Sequence, residues 1–203
     1  MFITFEGLDF CGKSTQVELL RDYLENRGEK VIVLREPGGT NISEKVRDIL
    51  LDKKNSEMVF QTELLLFSAS RAQLVRETIL PKLAEGYYVI SDRFHDSTIA
   101  YQGFGRGLGI DFIIDLQNFV IDGAQPDITF YIDLTLEEIS KRKGNMKSLT
   151  LDRIERSKDE FYRKVREGYL HLCGTQKRFV KLNGMQSIDS LHNVIIDELK
   201  RKA

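Results

Sequence analysis

Apolar positions along the chain alternate between short β-branched or aromatic runs and longer stretches with helical spacing. Phe2 to Glu6, Lys30 to Leu34, Tyr87 to Ser91, Asp127 to Ile132 and Arg178 to Leu182 read as strands. Helices are expected at about 13–27, 42–51, 57–80, 111–122, 135–143, 153–172 and 187–201, and Gly28, Pro81, Gly86 and Gly123 stand where helices should stop. Connections long enough for crossover helices predict an α/β fold with a five-stranded parallel sheet covered on both faces. No repeat, low-complexity tract or linker interrupts the pattern, so residues 1–203 read as a single domain.

Open parallel sheets bind ligands beyond the carboxyl ends of their strands. The polar and glycine-rich segments of this chain fall there. Leu34 is followed by Arg35-Glu36-Pro37-Gly38-Gly39-Thr40, Ile90 by Ser91-Asp92-Arg93-Phe94, and Ile132 by Asp133. The first strand runs into Gly7-Leu8-Asp9-Phe10-Cys11-Gly12-Lys13-Ser14-Thr15, which has the G-x-x-x-x-G-K-[ST] spacing of a phosphate-binding loop. Such a loop curls backbone N–H groups around phosphate oxygens at the positive end of a helix. Lys13 would bring a point charge to the outer phosphates, and the Ser14 hydroxyl would ligate Mg²⁺. A glycine turn without a ligand is the alternative.

Composition changes the picture only locally. At 41% hydrophobic and 30% charged residues, with a net charge of -1, the chain is an ordinary globular protein. Residues 141–167, however, hold ten basic side chains against five acidic ones. That excess suits phosphates, or else a solvated helix face with i,i+4 ion pairs. Next to a phosphate loop, a basic segment broken by Gly144-Asn145 reads as a lid at about 141–156. Two cysteines are too few for a disulfide framework, which points to a reducing, cytoplasmic setting. Cys11 is either a reactive thiol at a helix N-terminus or a small filler. The expectation is no signal peptide and no membrane span. The three histidines form no ligand cluster, although His95 is placed to line the site.

Several side chains have the right chemistry around such a loop. Arg93 has the fork that grips a phosphate, and Asp92 would hold a Mg²⁺-bound water; capping a neighbouring helix is the other use of this pair. Asp9 and Glu36 would repel phosphates unless a sugar hydroxyl or a metal-bound water intervened, and helix capping is again the alternative. Phe67 and Arg71, spaced i,i+4, share one helix face that could sandwich and hydrogen-bond a nucleobase, or Phe67 is plain core. The stretch from Ser97 through Tyr101 and Gln102 to Gly107 reads as a pocket wall or as a helix end followed by a flexible loop.

The segments Phe5-Glu6-Gly7-Leu8-Asp9 with Gly12-Lys13-Ser14-Thr15-Gln16, Arg35-Glu36-Pro37-Gly38-Gly39-Thr40, Leu66 to Gln73, Ser91-Asp92-Arg93-Phe94, Ala100-Tyr101-Gln102-Gly103 and Leu151-Asp152-Arg153-Ile154-Glu155 together resemble thymidylate kinases over nearly the whole chain. The resemblance implies a P-loop nucleoside monophosphate kinase fold and transfer of the ATP γ-phosphoryl group to dTMP with Mg²⁺. It implies no nucleic-acid or membrane partner, and a homodimer. Under it, Gly7 to Thr15 hold ATP, Phe67 stacks on thymine, Arg71 bonds its exocyclic oxygen, and Arg93 grips the dTMP phosphate. Asp9 serves the 3′-hydroxyl side, Tyr101 packs against the sugar where a 2′-hydroxyl would sit, Gln102 belongs to the same wall, Ser97 is a further substrate-binding residue, and Arg35 and Glu36 flank the acceptor phosphate and metal. Part of the family carries an arginine where this chain has Phe10. The missing charge would then come from the lid, with Arg142, Lys147 and Arg153 as candidates. A kinase for another nucleotide or a deoxynucleoside is the enzymatic alternative. A nucleotide-dependent switch is another, although the chain has no N-K-x-D element.

Overall fold

A parallel five-stranded sheet in the order β2-β3-β1-β4-β5 carries the chain, with β1 at Phe2–Glu6, β2 at Val31–Arg35, β3 at Tyr88–Asp92, β4 at Ile128–Asp133 and β5 at Phe179–Asn183. The computed structural model describes residues 1–144, 152–154 and 157–202, so the candidate Lys147 lies outside the described residues. The last four strands each begin and end one residue later than their apolar runs suggest. The ladder continues past the last apolar residue and pairs Arg35 with Asp92 and Asp133 with Asn183. Polar side chains are therefore fixed at the carboxyl edge by sheet hydrogen bonds.

Helices α1 (Lys13–Glu25) and α9 (Ile188–Lys202) cover one face, where Val17, Leu20 and Leu24 meet Leu191, Ile195 and Leu199 over Ile3, Phe5 and Phe130. The other side carries α2 (Asn41–Leu51), α3 (Phe60–Leu74), α6 (Ile110–Ile121) and α8 (Asp159–Thr175). Their core includes Leu64, Ile113, Tyr131, Val165 and Tyr169. On α2, Thr40 is the cap and its Oγ1 accepts from the Ser43 N–H. Among the described residues, no helix is long and apolar enough to cross a membrane.

Three departures from the sequence expectation have physical causes. Pro81 does not end its helix: α3 passes through a π-helical turn at Val75–Ile79 into α4 (Leu80–Ala84), with Pro81 in the first turn of α4. A proline N–H is not needed there. The segment after β3 is helical, α5 at His95–Thr98 followed by a π-helical stretch at Ile99–Gly105, rather than a loop. A Cβ on Gly105 would lie 2.6 Å from the Phe161 ring, so this glycine permits contact with α8. Finally, α8 begins at Asp159 and not near 153, because Arg153 is held elsewhere: its Nε donates to the Leu50 carbonyl at 2.8 Å. Helix α7 occupies Leu136–Gly144.

Candidate active site

The phosphate loop lies tightly against the sheet. Gly7 has φ of 145°, and a Cβ there would come within 2.7 Å of the Ile132 carbonyl oxygen on β4. Only glycine accommodates both demands. Leu8 is buried, Phe10 adopts a left-handed φ of 66°, and Gly12 is the N-cap of α1. Lys13 is buried, and its Nζ donates to the carbonyls of Gly7 at 3.2 Å and Leu8 at 3.0 Å. The ammonium thus sits within the curve of the loop. Ser14 Oγ donates to Asp92 Oδ2 at 2.8 Å. Burial pushes the Cys11 thiol up, against the pull of Lys13, which makes it a filler and not a reactive thiolate.

Two cavities open at this edge. One, of about 580 Å³, is lined by Asp9, Phe10, Gly12, Lys13, Ser14, Thr15, Arg35, Asp92 and Arg142, among others. The second, of about 190 Å³, is lined by Phe67, Arg71, Ser97, Tyr101 and Gln102 together with Leu51, Asp152 and Ile154. Asp9, Glu36, Arg47 and Arg93 line both. The two spaces therefore meet at two acids and two arginines.

Arg93 is the junction. Its Nη2 donates to Asp9 Oδ1 at 2.6 Å and to Tyr101 Oη at 3.1 Å, and its Nη1 to Ser97 Oγ at 3.2 Å and Tyr169 Oη at 3.3 Å. Its φ of 73° is a left-handed value that costs an arginine about 1–3 kcal/mol. Burial alone would raise the Asp9 carboxyl, but Arg93 and Lys13 hold it below the usual range. Neither Asp92 nor Arg93 caps α5, whose N-cap position is Phe94 with no side-chain cap bond.

Arg71 is fully engaged. Its Nε donates to Glu36 Oε2 at 2.7 Å, and its Nη1 to Thr98 at 2.8 Å and Gln117 at 2.7 Å. Glu36 Oε2 is thus held by Arg71, while the buried Oε1 has no hydrogen-bond partner among the described residues. Burial pushes the Glu36 carboxyl up, with Arg71 opposing. Breaking such a buried pair from one side typically costs about 3–5 kcal/mol, against about 0–1 kcal/mol for exposed pairs such as Arg35 with Glu44. Phe67 is half-buried on the cavity wall and not in the closed core.

The lid candidates separate. Arg142 on α7 reaches the loop, its Nη1 donating to the carbonyls of Phe10 at 3.5 Å and Cys11 at 3.3 Å and its Nη2 to that of Gly184 at 2.9 Å. Arg153 does not line the phosphate-loop cavity; its Nη1 lies 2.7 Å from Glu63 Oε2. His95 lines neither cavity. It is buried beside Arg178, and desolvation lowers it to about 4.

Sequence reasoning also missed Glu6, Arg47 and Tyr169. Glu6 is the last residue of β1, where alternation alone gives no sign of function. It accepts from the Phe94 N–H at 2.8 Å, Ser97 Oγ at 2.6 Å and Tyr169 Oη at 2.8 Å. Burial and the neighbouring Asp96 push its carboxyl up to about 7, against Arg93. Arg47 donates through Nη1 to the Pro37 carbonyl at 2.6 Å. Its position in both cavities follows only from packing of α2.

Comparison with known proteins gives one answer. Residues 5–195 match the sequence profile described as Thymidylate kinase. The chain is 50% identical over 201 residues to a thymidylate kinase of Thermoanaerobacter sp. (strain X514), covering 98% of this chain and 97% of that one. It is 49% identical over 195 residues to a thymidylate kinase of Thermosipho melanesiensis, covering 96% and 95%. The crystal structure of thymidylate kinase from Ehrlichia chaffeensis superposes with a TM-score of 0.80 at 37% identity, covering 98% of both chains.

Proposed function

The chain belongs to the thymidylate kinase family, ATP-dependent nucleoside monophosphate kinases that phosphorylate dTMP, and from that premise we propose how its residues divide the work. The observation that carries the division is that the two cavities meet at Asp9, Glu36, Arg47 and Arg93. A donor phosphate in the larger cavity and an acceptor phosphate in the smaller one would approach each other there. In-line transfer needs mainly positioning and charge stabilisation, and the acceptor phosphate is already anionic, so no strong base is required.

On the donor side, Gly7 to Thr15 cradle the ATP phosphates, with Lys13 as the mobile cation. Arg142 meets the donor at the outer rim of the loop, which makes it the candidate that replaces the arginine missing at Phe10. Arg153 instead acts within the fold through Glu63. On the acceptor side, Arg93 grips the dTMP phosphate and Asp9 steers it and the 3′-hydroxyl. Phe67 takes the base, Arg71 reaches it by exchanging one of its present acceptors, and Ser97, Tyr101 and Gln102 close the wall. Arg35 and Glu36 border the junction, and Arg47 adds charge.

Ser14 Oγ and Asp92 Oδ2, 2.8 Å apart, are hard oxygen donors of the kind Mg²⁺ selects, so these two residues would hold it directly or through water. When bound, Mg²⁺ neutralises charge on the transferring phosphates.

We further assign the whole of 1–203 to one kinase unit working in the cytoplasm without nucleic-acid or membrane partners; most of the lid expected at about 141–156 lies outside the described residues. The homodimer implied by family membership has a suitable surface. Ile42 and Ile49 on α2, Phe60 and Leu65 on α3, and Phe112 and Phe119 on α6 are exposed apolar side chains on helices that pack together. Sedimentation of a Phe119→Lys variant, expected to be monomeric, tests that surface.

The acceptor reading is tested by coupled ADP release with dTMP, dUMP, UMP, dCMP and thymidine. The expected result is turnover highest with dTMP; preference for thymidine would overturn the acceptor-phosphate site.

A further inference from the structure

Glu63 near the start of α3 is fully buried, lines neither substrate cavity, and so far has only the ion pair with Arg153. It is a carboxylate ringed by donors. Its Oε1 accepts from Gln102 Nε2 at 2.9 Å and Arg106 Nε at 3.1 Å. Its Oε2 accepts from Arg106 Nη2 at 3.2 Å and pairs with Arg153 Nη1 at 2.7 Å. Burial would raise this carboxyl, but Arg106, Gln102 and Arg153 outweigh it and hold Glu63 ionised.

An ionised carboxylate accepts and never donates. Gln102 must therefore turn its NH₂ toward Glu63, and the amide oxygen is the end turned away. Gln102 is itself buried and lines the same cavity as Phe67 and Arg71. The wall at this position is thus committed to an acceptor by a residue that does not touch the cavity.

We propose that Glu63 is a positioning residue for base selection, fixing the Gln102 amide so that its oxygen accepts the N3–H of a thymine-type base. The proposal rests on the reading that this cavity takes the dTMP base. Thymine and uracil carry a hydrogen at N3, whereas cytosine presents a lone pair there and would face the Gln102 oxygen acceptor to acceptor. A buried polar mismatch of this kind discriminates far more strongly than a missing methyl group. The two arginines keep Glu63 charged and oriented, so Arg153 contributes to base choice from outside the phosphate site.

The test compares kcat and KM for dTMP and dCMP in the wild type, Glu63→Gln, Glu63→Asp, Gln102→Leu and the Glu63→Gln/Gln102→Leu double variant. In Glu63→Gln the amide oxygen stays with Arg106 Nη2 and Arg153 Nη1, the NH₂ takes the Oε1 place at the cost of the Arg106 Nε contact, and Gln102 turns over to accept from it and presents N–H to the cavity. The expected result is a fall of at least about tenfold in the dTMP to dCMP ratio of kcat/KM, mainly through KM for dTMP, with KM for ATP unchanged. In the Gln102→Leu background the same substitution should leave that ratio where it was. Equal loss on both bases, or an effect that adds to Gln102→Leu, would mean that Glu63 only supports the fold and would overturn the proposal. If Glu63→Gln does not fold, Glu63→Asp keeps the charge while withdrawing it from Gln102; an unchanged ratio there overturns the proposal equally. A wild type that does not use dTMP would instead refute the reading of the cavity itself.

Discussion

Arg93, the residue after β3, donates to Asp9 in the loop after β1 at 2.6 Å, tying the carboxyl ends of two neighbouring strands together. Under the proposed division of the site, an arriving acceptor phosphate would compete with Asp9 for the same guanidinium. Arg93→Ala should therefore lower kcat/KM for dTMP by on the order of 10³ or more. Arg93→Lys should recover little of it, because a point charge cannot hold Asp9, Ser97 and Tyr101 in one plane. Steady-state kinetics with dTMP varied would show it, and near-normal KM and kcat would remove Arg93 from the site.

Lys13→Ala should abolish turnover to a similar extent while the protein stays folded, since the lysine's contacts are with carbonyls of its own loop. Lys158→Ala, at the exposed N-cap position of α8, should leave the rate within about twofold of wild type. Rates and far-UV circular dichroism measured together separate the two effects. A slow but folded Lys158→Ala would show that the basic segment matters more broadly than Arg142 alone.

Arg142→Ala should act on the donor side. It removes the guanidinium from the Phe10 and Cys11 carbonyls and the Gly184 carbonyl. The expected outcome is a drop of about tenfold or more in kcat/KM for ATP with KM for dTMP spared. The opposite pattern would place Arg142 with the acceptor.

Glu6 gives stability a pH dependence of defined sign. Its carboxyl is raised from an ordinary 4.5 to about 7 in the fold. Between those values the folded chain keeps a proton that the unfolded chain has released, so stability from Glu6 is complete below 4.5 and is lost as pH rises through 7. A Glu6→Gln variant does not titrate. Urea midpoints should show the wild type losing ground to Glu6→Gln from pH 5 to about pH 7 and the difference levelling off by pH 8. His95, lowered to about 4, slopes the other way in both proteins and cancels from the difference. A difference that stays flat with pH would contradict the Glu6 assignment.

What could be read from the chain was local. The phosphate loop and the strand ends are legible because each is a short pattern whose residues contact their own neighbours, as Lys13 does with Gly7 and Leu8. Arg153 was legible as a basic residue but not in its partner, since Glu63 lies 90 residues earlier (153 − 63) and no spacing links them. Glu6 was read only as strand, and its role depends on Ser97 and Tyr169, which packing alone brings to it. Gly103 and Gly105 suggested a loop, whereas the close approach of Phe161 uses Gly105 for contact between helices.

Position 93 combines a left-handed backbone with a forked cation, and no amino acid supplies both without strain. Glycine and asparagine relax that φ most readily but carry no charge, and lysine keeps the charge with the same strain and without the fork. A saturation library at position 93 should consequently show no intermediate tier of function. Variants that gain stability by relaxing the backbone would be the ones that lose the reaction, leaving this position without a neutral mutational route.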